Sequence, residues 1–437
     1  MLIEFRVANH RSIREEQVLT LEAASRDTPG DARPRALDGS RKPLLPAAAL
    51  YGANASGKSN VLSALRFMCD SVASSARHWD PDGGVPRSAF AWGKSAGELS
   101  LFEATFVLDG TRFRYAFCVD DEVVQEERLE AWPHARKQTW FTRHGDEYHF
   151  GEHLTGERHT VQETTRSNAL FLSNAAQLGH EQLGPLHRWF GSTLFQSVPP
   201  SLASRPDVAW ELDLHRMLVR HERDQHEQPA CAAGDRRAAD MIDELTTLMR
   251  EADLGIRSLG VSTDEGGVAA LDSVRQGQRR SGVRVQHECG TGDGWLPLEE
   301  ESRGTLAVIR LGPKIVAALR HGALLVVDEL DTSVHPLLVR NIVDRFNHPR
   351  SNPHGAQLIF SAHDTSLLGT AVGEPTLRRD QVWLTEKDSD GATALVPLGD
   401  YKPRKGENLE RGFLQGRYGA VPILPSDLAD QRESESA

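Results

Sequence analysis

Residues Gly52-Ala53-Asn54-Ala55-Ser56-Gly57-Lys58-Ser59 satisfy the pattern Gly-x-x-x-x-Gly-Lys-Ser/Thr, and no other stretch constrains the fold as tightly. A loop of this kind wraps a phosphate chain with backbone N–H groups, reaches the terminal phosphates with its lysine and offers a hydroxyl to magnesium. It needs a strand before it and a helix after it, because the helix N-terminus supplies further free N–H groups. Both flanks comply: Ala47 to Tyr51 reads as a short apolar strand, and Val61 to Met68 reads as a helix leaving the loop.

A phosphate loop also needs a carboxylate on the metal side. Leu324-Leu325-Val326-Val327 is a continuous apolar run, as expected of a parallel strand buried on both faces, and it ends in Asp328-Glu329. Asp328 is placed to share a magnesium ion with Ser59. Glu329, projecting from the same strand end, can orient and polarise the water that attacks the terminal phosphate. The competing reading, an acidic strand end without function, is outweighed by the order of strand, acid pair and phosphate loop. Lys58 is assigned both to binding and to catalysis.

Composition excludes several classes. With 39% hydrophobic residues, mean hydropathy of −0.44 and no apolar run near the roughly 20 residues that span a bilayer, the chain reads as globular and not membrane-embedded. Met1 to Val7 lacks a basic, apolar and small-residue leader pattern, so a cytoplasmic location is expected. Cys69, Cys118, Cys231 and Cys289 form no C-x-x-C pair and signal neither zinc nor disulfides. A net charge of −12 opposes strong non-specific nucleic-acid binding. Arg275, Arg279, Arg280 and Arg284 form one local basic patch, for which a solvated hairpin edge is the favoured account.

Along the chain, Ile3 to Val7 and Val18 to Glu22 alternate like paired strands, and Thr28 to Pro46 reads as a loop. After the helix that follows the phosphate loop, Leu99 to Leu108, Thr111 to Val119 and Val123 to Trp132 predict an antiparallel meander, with Asp109-Gly110 as a hairpin turn. Val208 to Glu227 and Arg236 to Asp253 predict two charged helices around a break at Pro229 to Gly234. Ile256 to Ser262 and Val283 to His287 resemble strands, as does Gln357 to Phe360, and Pro336 opens a helix through Phe346. Asp388-Ser389-Asp390 has the spacing of a Toprim carboxylate set, but its position between two strand-like runs favours a tight hairpin. The segment from Asp427 to Ala437 is polar and expected to fray.

Three further segments carry a resemblance: Leu330-Asp331-Thr332-Ser333-Val334-His335-Pro336 after the acid pair, Ser361-Ala362-His363-Asp364 ending the next strand, and Glu301-Ser302-Arg303-Gly304-Thr305 before a helix. Together with the phosphate loop they resemble an ABC-type ATPase head of the branch containing RecF, SMC and OLD proteins, in which Asn54 and Asn60 around the loop are also familiar. Phe5 to Ile13 and Gly406 to Gly419 are similar to the bacterial RloA/AbiLi-type ATPases. The implied fold is an α/β ABC-ATPase (P-loop NTPase) head with an antiparallel β subdomain and a short helical arm-like insertion. Its parts would be a first ATPase lobe at 1–178, the insertion with strands at 179–295, a second lobe at 296–426 and a flexible tail at 427–437.

The resemblance implies ATP and Mg2+ as cofactors, and a homodimer that sandwiches two ATPs. Gly52, Asn54, Ser56, Gly57, Lys58, Ser59 and Asn60 would hold one nucleotide, and Ser302, Gly304 and Thr305 of the other subunit would complete its site. Here the segment is Ser-Arg-Gly-Thr, unlike the Leu-Ser-Gly-Gly-Gln of transporters. Asp331 would lie at the dimer seam, and His363 would donate to the γ-phosphate or the attacking water, a core histidine being the alternative. Gln177 is the candidate for the metal-sensing glutamine, an ordinary helix glutamine being the competing reading, and His335 is read as structural beside Pro336. Gly412, Phe413, Gly416, Arg417, Tyr418 and Gly419 would line a partner surface or buttress the ATP site. The setting implied is bacterial antiviral defence by abortive infection, with a separately encoded Toprim-like nuclease of the RloB/AbiLii type as partner. A RecF-like ATP-dependent DNA clamp, with DNA as partner, is the alternative; a protein that binds ATP without turnover is disfavoured by Glu329.

Overall fold

The computed structural model describes residues 1–24, 30–198, 214–219, 221, 233–252, 255–261, 282–289, 294–370, 373–402 and 407–421, with the backbone alone for 233–239. Arg275, Arg279, Arg280, Cys231, most of the predicted 208–227 helix and the 427–437 tail lie outside the described residues.

Alternating apolar residues build a large antiparallel sheet. Its strands are β1 (Leu2–Ala8), β2 (Gln17–Thr20), β4 (Ser100–Leu108), β5 (Thr111–Val119), β6 (Val124–Trp132), β7 (Gln138–His144) and β8 (Glu147–Phe150), in the order β2-β1-β4-β5-β6-β7-β8. The expected N-terminal pair is present, with Phe5 opposite Leu19, and so is the meander. Asp109 and Gly110 both take positive φ, 47° and 72°, the geometry that a two-residue hairpin requires to match strand twist. The last two strands extend the meander beyond what the sequence pattern indicated.

The second sheet is mixed. Strands β3 (Ala47–Gly52), β9 (Leu194–Gln196), β13 (Leu324–Val327), β14 (Gln357–Ser361), β15 (Val382–Lys387) and β16 (Thr393–Pro397) lie in the order β16-β15-β3-β14-β13-β9. All neighbours are parallel except the β15–β16 hairpin. That hairpin settles Asp388-Ser389-Asp390: Asp388 Oδ1 accepts from the N–H groups of Asp390 and Ala392 at 2.9 and 2.8 Å, which is turn chemistry.

The period-2 alternation of the parallel strands splits the core in two. Ala48, Leu50, Val326 and Ile359 face helix α1 (Lys58–His78), which fills the space up to Phe102 and Phe117 of the antiparallel sheet. Ala47, Ala49, Tyr51, Leu325, Val327, Leu358 and Phe360 face the other way, toward the helices Arg303–His321 and Pro336–Asn347. A sheet covered on both faces accounts for the unbroken apolar runs. The helix Arg303–His321 is delimited by its caps: Ser302 Oγ accepts from Thr305 N–H at 3.1 Å, and Gly322 ends it in the left-handed conformation.

A smaller core joins Ile309 of that helix to Leu245 and Met249 of the helix Ala233–Glu251, and to Val283 and Val285 of β11 (Val283–His287). This strand pairs on one side with β10 (Ile256–Val261) and on the other with β12 (Trp295–Pro297). By contrast Leu183, Leu186 and Phe190, around the helix Gly184–Gly191, belong to the main core with Phe106. No helix among the described residues is long and apolar enough to cross a membrane.

Candidate functional site

The phosphate loop leaves β3 at the carboxyl edge of the parallel sheet, where open α/β sheets place their ligands. Gly57 has φ of 110°, and a Cβ there would run into the side chain of Thr393. Only glycine meets both conditions. Gly52 is similarly crowded, with Ser56 Oγ and the Thr385 carbonyl each 2.6 Å from where a Cβ would stand. The loop is cradled by residues far away in sequence. Ser56 Oγ is 2.5 Å from Thr385 Oγ1, Thr393 Oγ1 donates to Ser56 O at 2.9 Å, and Thr393 Oγ1 meets Ser12 Oγ at 2.7 Å. Asn60 Nδ2 donates to the same Ser12 Oγ at 2.6 Å. Ser12, in the turn after β1, and Thr385 and Thr393, in β15 and β16, carry no sequence signal of this role, because a single hydroxyl in a turn or strand makes no pattern.

Lys58 Nζ donates to the carbonyls of Gly52 and Ala53, at 2.8 and 3.1 Å. Burial lowers its ammonium below the ordinary lysine range, against the opposing pull of Asp328, Glu329 and Asp331. Asn54, Ala55, Ser56, Gly57, Lys58, Ser59, Asn60, Glu329, His363 and Lys387 together line a cleft of about 730 Å³. A larger cavity, about 770 Å³, lies at the amino ends of β13 and β14 and holds none of the motif residues.

The acid pair divides its tasks by burial. Asp328 is buried, and its Oδ1 accepts from Ser361 Oγ at 2.5 Å. Ser361 Oγ in turn accepts from Glu329 N–H at 2.7 Å, so one hydroxyl at the end of β14 sets both acids. Glu329 has φ of 53°, a left-handed value that a non-glycine residue keeps only where its surroundings hold it. That turn sends its side chain out, half exposed, where Thr332 Oγ1 donates to Oε2 at 3.1 Å. His363 Nε2 stands 3.9 Å from Glu329 Oε1, too far for a hydrogen bond but close enough to share a small ligand. Asp331 Oδ2 accepts from the N–H groups of His363 and Asp364, at 2.8 and 2.6 Å, pinning the turn that carries the histidine.

Ser302, Gly304 and Thr305 are elsewhere in the same chain. They line a separate pocket of about 610 Å³ with Ser333, Val334 and His335. A Cβ on Gly304 would stand 2.8 Å from Ser333 O, so the segment is packed tightly against the turn after the acid pair. His335 Nδ1 accepts from Leu337 N–H at 3.2 Å, the capping role expected of a structural residue.

Gln177 is a correction. It is exposed, it does not line the cleft, and it ends the helix Phe171–Gln177, which meets α1 through Ser173 Oγ and Ala76 N–H. Ala76 is 18 residues from Lys58, or about 27 Å along a helix rising about 1.5 Å per residue. The glutamine beside the acid pair is Gln196, buried at the end of β9, whose carbonyl accepts from Asp328 N–H at 3.0 Å and whose Oε1 accepts from Lys314 Nζ at 2.9 Å. Its signal was faint, since a three-residue edge strand shows no periodicity.

The C-terminal glycine-rich segment buttresses the site. Phe413 meets Tyr51 edge to face at 5.8 Å, and Ala420 N–H donates to Glu386 Oε1 at 2.7 Å. A Cβ on Gly419 would strike the Glu386 carboxylate, and one on Gly412 would strike the Tyr418 ring.

Among the described residues no group of three or more His, Cys, Asp or Glu side chains is arranged to hold a metal ion. The donor set at the loop nonetheless fits magnesium. That ion takes one or two protein oxygens and completes its octahedron with phosphates and water, and the Ser59 hydroxyl and Asp328 carboxylate are hard oxygen donors.

A glycine-lysine-serine loop between a buried parallel strand and a helix, with an acid-ended strand in the same sheet, defines a nucleotide-binding phosphate-loop NTPase of the α/β class. The chain belongs to the family described as "AAA domain, putative AbiEii toxin, Type IV TA system", which matches residues 47–369. Among solved structures it is similar to an SMC head bound to the C-winged helix domain of ScpA, at 14% identity over 90% of this chain and 96% of that one, TM-score 0.45. It is also similar to the SMC head domain from Thermotoga maritima, at 12% identity over 91% and 98%, TM-score 0.40. A third is the Pyrococcus furiosus-derived complex of an SMC head with an extended coiled coil and the ScpA C-terminal domain, at 12% identity over 95% and 98%, TM-score 0.40. These likenesses are distant. No curated protein matches the chain.

Proposed function

We propose that the chain binds ATP with Mg2+, hydrolyses it, and acts as a nucleotide-gated dimeric switch. The observation that carries this reading is the convergence of Lys58, Ser59, Glu329 and His363 on one cleft, with Asp328 behind them. The loop N–H groups and Lys58 would hold the phosphates, Ser59 and Asp328 the magnesium, and Gln196 would replace Gln177 as the glutamine that responds to it. When bound, the metal neutralises phosphate charge and orients the terminal group. Glu329, half exposed beside His363, would take the proton of the attacking water while the histidine steadies the γ-phosphate.

Two copies would then complete each other. Ser302 and Thr305 crown the N-terminus of a long helix, an anion-binding end, yet they line a pocket apart from the phosphate cleft of their own chain. This separation supports a trans role in which Ser302, Gly304 and Thr305 close over the partner's nucleotide, with Asp331 at the seam. ATP would favour the closed dimer by contacts absent from the open one, and hydrolysis would reset it.

The resemblance to RloA/AbiLi-type ATPases, and a family description that includes a toxin–antitoxin term, support a role in bacterial anti-phage defence by abortive infection. The controlled effector would be a separately encoded Toprim-like nuclease, and the acidic chain makes a DNA clamp the lesser reading. The test is Glu329→Gln. It is expected to keep ATP binding, to lower phosphate release on the order of 100-fold or more, and to trap an ATP-bound dimer visible by light scattering. Unchanged phosphate release overturns the assignment.

A further inference from the structure

We infer that Lys387 is a second phosphate-contacting cation of the nucleotide cleft, an inference that rests on the ATP-binding reading above. Nothing in the motif pattern points to it. It comes from the far end of the chain, as the last residue of β15, yet it lines the same cleft as Lys58, Ser59, Glu329 and His363.

Three observations converge. The first is placement: β15 runs parallel beside β3, with Thr385 paired to Gly52, and the 2.5 Å contact between Thr385 Oγ1 and Ser56 Oγ locks the strand end to the loop. A residue two positions beyond Thr385 is therefore carried to the mouth of the loop by the ladder itself. The second is charge. Lys387 makes no ion pair or side-chain hydrogen bond with the described residues, although acids stand on both sides of it. Glu386 is engaged by Ala420 N–H. Asp388 is engaged by the turn's N–H groups and by Arg14, at 3.1 Å, and Asp390 by Arg14 at 3.0 Å. The neighbouring carboxylates are thus satisfied locally and leave the lysine charge to the cleft. The third is position across the loop: Lys387 also lines the adjoining groove of about 580 Å³, formed by Ala53 to Ser56 and the segment from Gly416 to Val421.

Lys58 sits buried at the floor of the cleft and Lys387 exposed at its rim. The chemistry this suits is a long polyanion, in which the floor lysine takes one end and the rim lysine another part of the phosphate chain. An exposed ammonium on a flexible stem acts as a point charge, so its contribution is salt-sensitive.

The experiment titrates a fluorescent ATP analogue with Mg2+ into the 437-residue chain and its Lys387→Ala, Lys387→Arg and Lys58→Ala variants, at low and high salt. Lys387→Ala is expected to weaken binding roughly 10-fold at low salt, as for loss of a charge-assisted hydrogen bond. The deficit should shrink at high salt, and Lys387→Arg should restore most of the affinity. Thermal melting without nucleotide should be unchanged, because the side chain supports nothing in the fold. Equal affinity of Lys387→Ala and the parent, with Lys58→Ala unable to bind, overturns the rim role alone. Retained binding by Lys58→Ala overturns the ATP-site reading on which it rests. Weak binding by Lys387→Ala that salt does not alter, or that Lys387→Arg does not restore, also overturns the direct contact.

Discussion

The phosphate cleft and the Ser302 pocket are the two halves of the proposed composite site, and they are built differently. The cleft is held in place from every side: Thr385, Thr393 and Ser12 underpin the loop, Ser361 sets the acids, and Phe413 and Ala420 brace the strands below. The Ser302 pocket lies between the first turns of two helices, Ser302 to Val308 and Leu337 to Asn341, with the Ser333–His335 turn and Glu251–Ala252 at its edges, and the hydrogen-bonded cradle of the cleft has no counterpart among the described residues there. A binding site must be rigid before its ligand arrives if it is to spend little on ordering. A segment that closes over another copy has only to present a helix end. The difference separates a half that should tolerate no distortion from one that should fail only when two copies meet.

That contrast can be broken most forcefully at Gly57. Gly57→Ala should weaken ATP binding on the order of 100-fold or more, because the left-handed φ and the Thr393 contact both exclude a side chain. Near-normal affinity in a nucleotide titration would mean that the cradle is soft. Ser302→Ala should, by contrast, bind ATP normally and lose turnover. Mixed in equal amounts with an inactive Lys58→Ala chain, it should recover about a quarter of wild-type phosphate release, since half of randomly paired dimers are mixed and each has one intact site. No recovery removes the support for trans completion.

The smallest effect is on stability beside the loop. His10, buried against Phe67 and Phe102 with Nε2 3.1 Å from Ser63 Oγ, has its imidazole lowered to about 3 by burial, reinforced by the Arg11 charge. The unfolded chain accepts a proton near pH 6.5 that the fold refuses. This contribution is therefore full above pH 6.5 and is lost as pH falls toward 3, by at most about 1.4 kcal/mol per pH unit. Urea unfolding between pH 7 and pH 5 should show a shallower fall for His10→Gln than for the parent; equal slopes would mean that His10 is not held neutral.

Legibility followed the range of the interaction. The strand, loop and helix around Gly57, the acid pair after Val327, the hairpin at Asp109-Gly110 and the β15–β16 turn were readable, because each is a local requirement written in consecutive residues. Gln177 failed because a glutamine on a helix has no local signature, and its distance from the loop depends on where α1 carries its far end. Gln196, Ser12, Thr393 and Lys387 were invisible for the same reason: each is made relevant by a neighbour more than 40 residues away.

What the residues alone determined was the chemistry of one loop and one strand end, since glycine conformational freedom, a lysine charge and an apolar run depend little on distant context. Only the tertiary structure decided which hydroxyls cradle that loop, which glutamine and which second lysine stand beside it, and that Ser302 lies outside the cleft of its own chain. Strand order in a parallel sheet is chosen by burial on both faces, not by nearness in sequence. Residues at its carboxyl edge become neighbours only once the whole sheet has formed.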